Sequence, residues 1–237
     1  MPDMRHVIDA IDWQRVQKDM DRTGYAILPQ FLSQQQCQSL AELFNCDEGY
    51  RKTVVMEHYR FGRGVYKYWD YPLPDLIQDL RENLYPKLAP IANSWMELLG
   101  AEARFPATFP ELQARCHGAG QLKPTPLILQ YGEGGYNTLH QDLYGDEYFP
   151  MQTACFLNQP EEDYTGGEFV LTEQVPRAQS KAIVLKPKRG DMIVFTTNFR
   201  PVKGTRGYYR AKMRHGVSEV QSGQRQTVGI IFHDAVS

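Results

Sequence analysis

The sequence predicts a mainly β protein with helical support, an α+β chain whose core is a double-sheet jelly roll (a double-stranded β-helix). Three observations predict it. After about residue 120 the chain breaks into eight short β-rich runs, near 126–131, 136–142, 152–158, 168–172, 182–186, 191–196, 213–218 and 226–232. Turn residues separate those runs, among them Gly134-Gly135, Gly166-Gly167 and Gly190-Asp191. Before residue 120, helix signals dominate. The 237 residues therefore divide into a helical and mixed part, 1–120, packed on a jelly-roll core, 121–237, with 42% apolar residues to fill it.

The elements follow in order. Residues 8–22 read as a helix and Tyr25–Leu28 (YAIL) as a short strand. Ser33 has Gln36 three positions on, a capping box that opens a helix to about Asn45. Residues 50–69 are aromatic and β-branched, broken at Gly62 and Gly64, and predict two strands or a strand and a loop. Pro74 opens an amphipathic helix to about Leu99, with Leu76, Ile77, Leu80, Leu84, Leu88, Ile91, Trp95 and Leu98 on its apolar side, suited to bracing a sheet.

Composition excludes several classes. A net charge of −2 with 23% charged residues names no partner. No apolar run of about 18 residues is present, so no transmembrane helix is expected. The first residues carry acids and no apolar h-region, so no secretory signal is expected. Cys37, Cys46, Cys116 and Cys155 form no CxxC pair and no zinc-finger spacing. Scattered cysteines of this kind predict small buried side chains in a reducing cytoplasm.

The chemistry concentrates in residues 129–145. His140 and Asp142 lie two apart on a predicted strand, which sets both on one face. Imidazole and carboxylate suit Fe(II), and a third histidine completes a facial triad with open positions. His215 supplies it from a second predicted strand, which in a jelly roll can face the first across the cavity. Taken alone, a His-x-Asp pair is common by chance. Its context is not. Arg225 follows ten residues after His215 at the start of the last strand, where a buried guanidinium can make a forked pair with a dicarboxylate. Thr227 stands two residues on, on the same face. His233 and Asp234 are adjacent, point to opposite faces and read as structural. His6, His58 and His117 have no ligand-like neighbours.

The order HxD, GGE, His, Arg-x-Thr resembles the Fe(II)/2-oxoglutarate dioxygenase superfamily across about residues 121–237. GGEFVL at 166–171 is similar to the glycine turn of its prolyl-hydroxylase-like branch. QYGEGGYNTLHQD is similar to segments of the AlkB-like branch, where a tyrosine nine residues before the first iron histidine contacts 2-oxoglutarate; Tyr131 holds that place. The segments HQDLYG, TGGEF, RPVKGTRGYYR, HGVSEV and IIFHDA resemble most closely a bacterial oxygenase family to which oxidative repair of damaged DNA is ascribed. One departure stands out. AlkB-like enzymes place two arginines beyond the second histidine, whereas this chain has only Arg225, at the prolyl-hydroxylase-like spacing.

The resemblance implies iron on His140, Asp142 and His215, with 2-oxoglutarate held by Arg225, Thr227 and Tyr131. It implies O2 as co-substrate and hydroxylation of a C–H bond, with succinate and CO2 as by-products. The carboxylate of Asp142 favours hydroxylation over halogenation. For the substrate, residues 186–214 hold nine Lys and Arg against one acid, Asp191, a local charge of +8. They read as a long basic loop running into His215, with Arg206, Tyr208 and Arg210 as candidate contacts to phosphates and a base. A solvated basic face, an anionic metabolite or a peptide fits the same charges. Residues 60–71, with Tyr66 and Tyr68, read either as a flexible cover over the cavity mouth or as an aromatic core strand. Oxidative demethylation of alkylated nucleic acid, hydroxylation of a prolyl or other protein residue or of a metabolite, and non-enzymatic ligand binding all remain open at this point.

Overall fold

A computed structural model describes residues 4–237. Two helices open the chain, α1 (Met4–Asp9) and α2 (Trp13–Thr23). The single helix expected over 8–22 is thus divided, because Asp12 caps a new start by accepting the Arg15 N–H. Gly24, with φ 79°, ends α2 in a left-handed turn. β1 (Tyr25–Leu28) follows, then α3 (Gln34–Leu43), opened by the Ser33–Gln36 capping box. β2 (Tyr50–Val55), a 3-10 turn (Met56–Tyr59), β3 (Gly62–Arg63) and β4 (Val65–Trp69) come next. α4 (Asp75–Leu98) runs through Pro86 and Pro90 and buries Ile77, Leu84, Leu88 and Trp95. α5 (Phe109–Gly118), which the sequence analysis did not anticipate, starts where Glu111 accepts the Thr108 N–H and hydroxyl.

Eleven strands complete the chain: β5 (Leu127–Tyr131), β6 (Tyr136–His140), β7 (Met151–Phe156), β8 (Tyr164–Gly166), β9 (Phe169–Gln174), β10 (Lys181–Leu185), β11 (Met192–Thr196), β12 (Phe199–Gly204), β13 (Gly207–Val217), β14 (Val220–Gly223) and β15 (Arg225–Ile231). A seven-stranded sheet has the order β1-β11-β7-β15-β5-β4-β2. A six-stranded sheet runs β10-β9-β13-β6-β3, with β12 added on β13, and β14 pairs β8. All of these pairings are antiparallel. This is the predicted double-sheet architecture, with all eight expected strands present. β8, β12 and β14 are additions. The supposed basic loop before His215 is a β12–β13 hairpin: Pro201, Gly204 and Gly207 mask its alternation in the sequence.

Strands on both sides of residue 120 share both large sheets. β1, β2 and β4 join the seven-stranded sheet and β3 joins the other. One face of the larger sheet meets α4, where Ile128, Val228 and Ile230 pack with Leu84, Leu88 and Trp95. The other face meets the smaller sheet, through Phe156, Phe195 and Ala154 against Phe169, Leu171 and Met213. Packing on both faces explains why every residue of β7 is buried. The gap between the sheets, beyond this second cluster, is where the site lies.

Candidate active site

His140 is the last residue of β6, and Asp142 lies just past it. Strand alternation therefore does not place Asp142; the chain's exit from the strand does. His215 on β13 stands directly opposite His140 in the register, with ring centroids 4.2 Å apart. The two histidines are thus neighbours on paired strands of one sheet rather than facing residues across the cavity. Asp142 closes the triangle, Oδ1 at 3.5 Å from His140 Nε2 and Oδ2 at 3.2 Å from His215 Nε2. One ligand atom from each residue falls within 4.8 Å of the others.

The surroundings orient these donors. His140 Nδ1 lies 2.7 Å from the Thr138 carbonyl, so that nitrogen carries the proton and Nε2 turns its lone pair inward. Two donors that the sequence analysis missed hold the carboxylate. The Tyr144 hydroxyl donates to Asp142 Oδ1 at 2.7 Å, and Gln152 Nε2 donates to Oδ2 at 2.8 Å. The Tyr68 hydroxyl donates in turn to Tyr144. A signal for Gln152 existed: it is a glutamine inside the buried run of β7, and a buried polar residue in such a run needs a partner. Burial pushes the Asp142 carboxyl upward, but the two imidazoles outweigh it and hold it well below the usual carboxylate range. Burial and the neighbouring His140 lower His215, which keeps it neutral and available as a ligand.

The opposite wall belongs to the other sheet. Arg225 opens β15 opposite Tyr131 on β5, and is 1% exposed. Its guanidinium lies 5.5 Å from the Tyr131 ring centre and 5.4 Å from that of Phe156. Nε and Nη1 have no hydrogen-bond partner. Among the described residues no carboxylate pairs with it, and burial lowers its pKa. A Cβ at Gly167, φ 61°, would stand 2.9 Å from Arg225 Cδ, so the glycine pair before β9 makes room for this side chain. Thr227 lines the same cavity. So does Tyr131, whose hydroxyl accepts from Asn137 and is pushed by burial up to about 12. The cavity holds about 260 Å³ and also has Tyr66, Tyr68 and Phe61 on its wall.

Residues 60–71 are built into both sheets as β3 and β4, and Thr138 bonds the Phe61 carbonyl through its N–H and hydroxyl. The strand reading fits these residues, and Phe61, Tyr66 and Tyr68 line the cavity from this segment. Arg206, Tyr208 and Arg210 line no part of the cavity. Tyr208 precedes His215 by seven strand residues, on the order of 20 Å. His233 accepts the Phe149 N–H and His117 bonds Asp234, so neither turns toward a metal.

Two imidazoles and one carboxylate on a single corner leave positions open for further ligands, the donor set that suits Fe(II). A buried guanidinium with free N–H groups fits the distal carboxylate of a 2-oxo dicarboxylic acid. A jelly roll that carries this corner on one sheet and this guanidinium on the other falls among the oxygenases that use iron(II) and 2-oxoglutarate, and the chain is an oxidoreductase of that class. Within it, the chain belongs to the Oxygenase-NA family, whose model matches residues 64–235 and is described as an oxygenase catalysing oxidative methylation of damaged DNA. Two uncharacterized proteins of Mycobacterium tuberculosis are each 49% identical over 164 residues, 69% of this chain and 70% of theirs. Among solved structures, a prolyl-4-hydroxylase from Pseudomonas putida superposes with a TM-score of 0.56 at 14% identity, over 94% of this chain and 100% of that one. An oxidoreductase of the 2OG-Fe(II) oxygenase family from Burkholderia pseudomallei gives 0.55 at 15%, over 96% and 95%. At such identities the superpositions speak for the fold. Among the described residues, no helix is long and apolar enough to cross a membrane.

Proposed function

We propose that the chain hydroxylates N-alkyl carbons of damaged nucleic acid, with iron held by His140, Asp142 and His215 and 2-oxoglutarate by Arg225, Thr227 and Tyr131. The observation that carries the cofactor assignment is the guanidinium of Arg225, buried in the same cavity as the triad with Nε and Nη1 unpartnered and no carboxylate beside it. An uncompensated buried cation costs several kcal/mol, and a carboxylate delivered to it offsets that cost. When bound, iron and 2-oxoglutarate would use O2 to oxidise a C–H bond, one oxygen atom going to the substrate and the other to succinate, with loss of CO2.

The chain's own residues do the rest. Arg225 and the Thr227 hydroxyl orient the far carboxylate, with Tyr131 alongside. Tyr144 and Gln152 fix the Asp142 carboxylate so that it presents one geometry to the metal. Phe156, Phe169 and Phe195 form an apolar wall that excludes water. His140 retains 33% side-chain exposure, which opens the metal corner to a substrate arriving from outside. Tyr66 and Tyr68 line that space and can stack on a flat ring. Hydroxylation of an N-methyl carbon gives a hydroxymethyl amine, which releases formaldehyde and leaves the N–H. The methyl group is therefore removed.

Formaldehyde and succinate released in equal amounts from methylated oligonucleotides, and lost in Asp142→Ala, are the expected result. The family description and the aromatic cavity favour this substrate. The single arginine beyond His215 favours a second reading, hydroxylation of a prolyl or other protein residue. One added oxygen on a prolyl peptide, with no turnover of any methylated oligonucleotide, would replace the substrate and retain the cofactors. Four free cysteines support a reducing cytoplasm as the place of reaction.

A further inference from the structure

The β12–β13 hairpin sets its cations in a row. Along β13, Tyr208, Arg210, Lys212 and Arg214 are exposed, while Ala211, Met213 and His215 between and beyond them are buried. Alternate residues of a strand share one face, about 7 Å apart. Cross-strand partners share it too, so Lys203, opposite Tyr208, joins the row, and Arg206 stands at the turn. No acid breaks it. Glu173 on neighbouring β9 opposes Met213, on the other face, and is paired there with Arg200. Among the described residues, Lys203, Arg206, Arg210, Lys212 and Arg214 have no carboxylate partner, and the Arg210 guanidinium is steadied 4.7 Å above the Phe199 ring.

Five exposed cations along one ribbon, in a chain of net charge −2, form a local positive field that a polyanion can neutralise. Three of them, Arg210, Lys212 and Arg214, repeat every second residue along one strand, which matches a string of phosphates better than a single anion. Tyr208, 41% exposed among them, offers a face on which a base can stack. The row also has a fixed relation to the iron corner. Arg214 points outward from the strand whose next residue, His215, points into the cavity.

We infer that the outer face of β13 is a docking track for a nucleic-acid strand, gripping the chain that flanks the damaged nucleotide. The inference rests on the nucleic-acid reading above. It adds that the substrate is a polymer, held outside the wall whose inner side carries the metal. A free nucleotide spans only one of the two places.

Fluorescence anisotropy with an undamaged single-stranded oligonucleotide of about 15 nucleotides tests the track without requiring turnover. The triple variant Arg210→Glu, Lys212→Glu, Arg214→Glu is expected to bind at least tenfold more weakly. Its plot of log affinity against log salt should be shallower by about 2, since each lost phosphate contact removes about 0.7. A control with the same change in charge, Arg15→Glu, Lys18→Glu, Arg22→Glu on the exposed face of α2, should stay within about twofold of wild type. Circular dichroism and melting temperature report whether each variant folds. Equal losses in both variants, no loss in the first, or no binding by the wild type would overturn the track. So would tighter binding to phosphatidylserine vesicles than to the oligonucleotide. Failure of the function is distinct: a methylated strand bound through the track but never oxidised removes the proposed reaction and leaves the track.

Discussion

Arg81 and Arg225 are both buried, at 0% and 1% exposure, and both lean on aromatic rings, Arg81 over Phe109 at 4.7 Å and Arg225 between Tyr131 and Phe156. Their hydrogen bonds differ. Arg81 donates to the carbonyls of Ile231 and Phe232, to the Tyr71 hydroxyl and to Asp234 at 2.5 Å. Arg225 leaves Nε and Nη1 unpaired. One guanidinium is closed by its own chain and locks α4 to the end of β15. The other keeps two N–H positions open, which an incoming anion can fill. Burial therefore separates neither role; the account of each N–H does.

The largest effect is expected where the closed arginine is broken. Arg81→Leu removes the buried cation that faces Asp234, leaving that carboxylate only Tyr71 and His117, and should cost about 3–5 kcal/mol in urea unfolding. A loss under about 1 kcal/mol would erase the contrast. Removing the open arginine should do the reverse. Arg225→Leu deletes a buried charge with no carboxylate partner, so unfolding free energy should hold steady or rise by about 1–4 kcal/mol. Binding of 2-oxoglutarate, titrated by calorimetry with Mn(II) in place, should weaken by about 2–5 kcal/mol.

The charge of Arg81 also acts on its surroundings. His233 is pushed down to about 4, by burial first and by Arg81 second, from the ordinary 6.5. An unfolded chain takes up this proton near 6.5 and the folded one only near 4. Stability is therefore intact above pH 6.5 and falls as pH drops toward 4, by about 3 kcal/mol. Unfolding measured across that window checks it, and His233→Gln should flatten the fall. The smallest effect concerns the metal corner. Gln152→Leu or Tyr144→Phe should weaken Mn(II) binding by about 10- to 100-fold in a spin-resonance titration, through loss of a carboxylate donor. Arg225→Leu should leave Mn(II) binding nearly unchanged, which separates the two walls of the cavity.

Much of this was legible in residue order. His140 and Asp142 are close in sequence, and Arg225 and Thr227 share a strand face by period two, so local spacing carried them. The Ser33–Gln36 box and the apolar stripe from Leu76 to Leu98 announced α3 and α4 for the same reason. α5 was silent because its signals at Thr108 and Glu111 are short. Glycine, proline and charge disguise the regular alternation of the β12–β13 hairpin, so its sequence reads as a loop. Tyr144 and Gln152 escaped because their role exists only once β7 passes beneath the exit of β6.

The sequence by itself determined the donor types, their order along the chain, the strand periodicity and the concentration of cations before His215, since each depends on near neighbours. Tertiary structure alone decided that His140 and His215 sit side by side, because strand register is set by hydrogen bonds between residues 75 apart. It also decided which arginine is satisfied. A guanidinium's partners are carbonyls and carboxylates from distant segments, and the fold brings them to Arg81 and keeps them from Arg225.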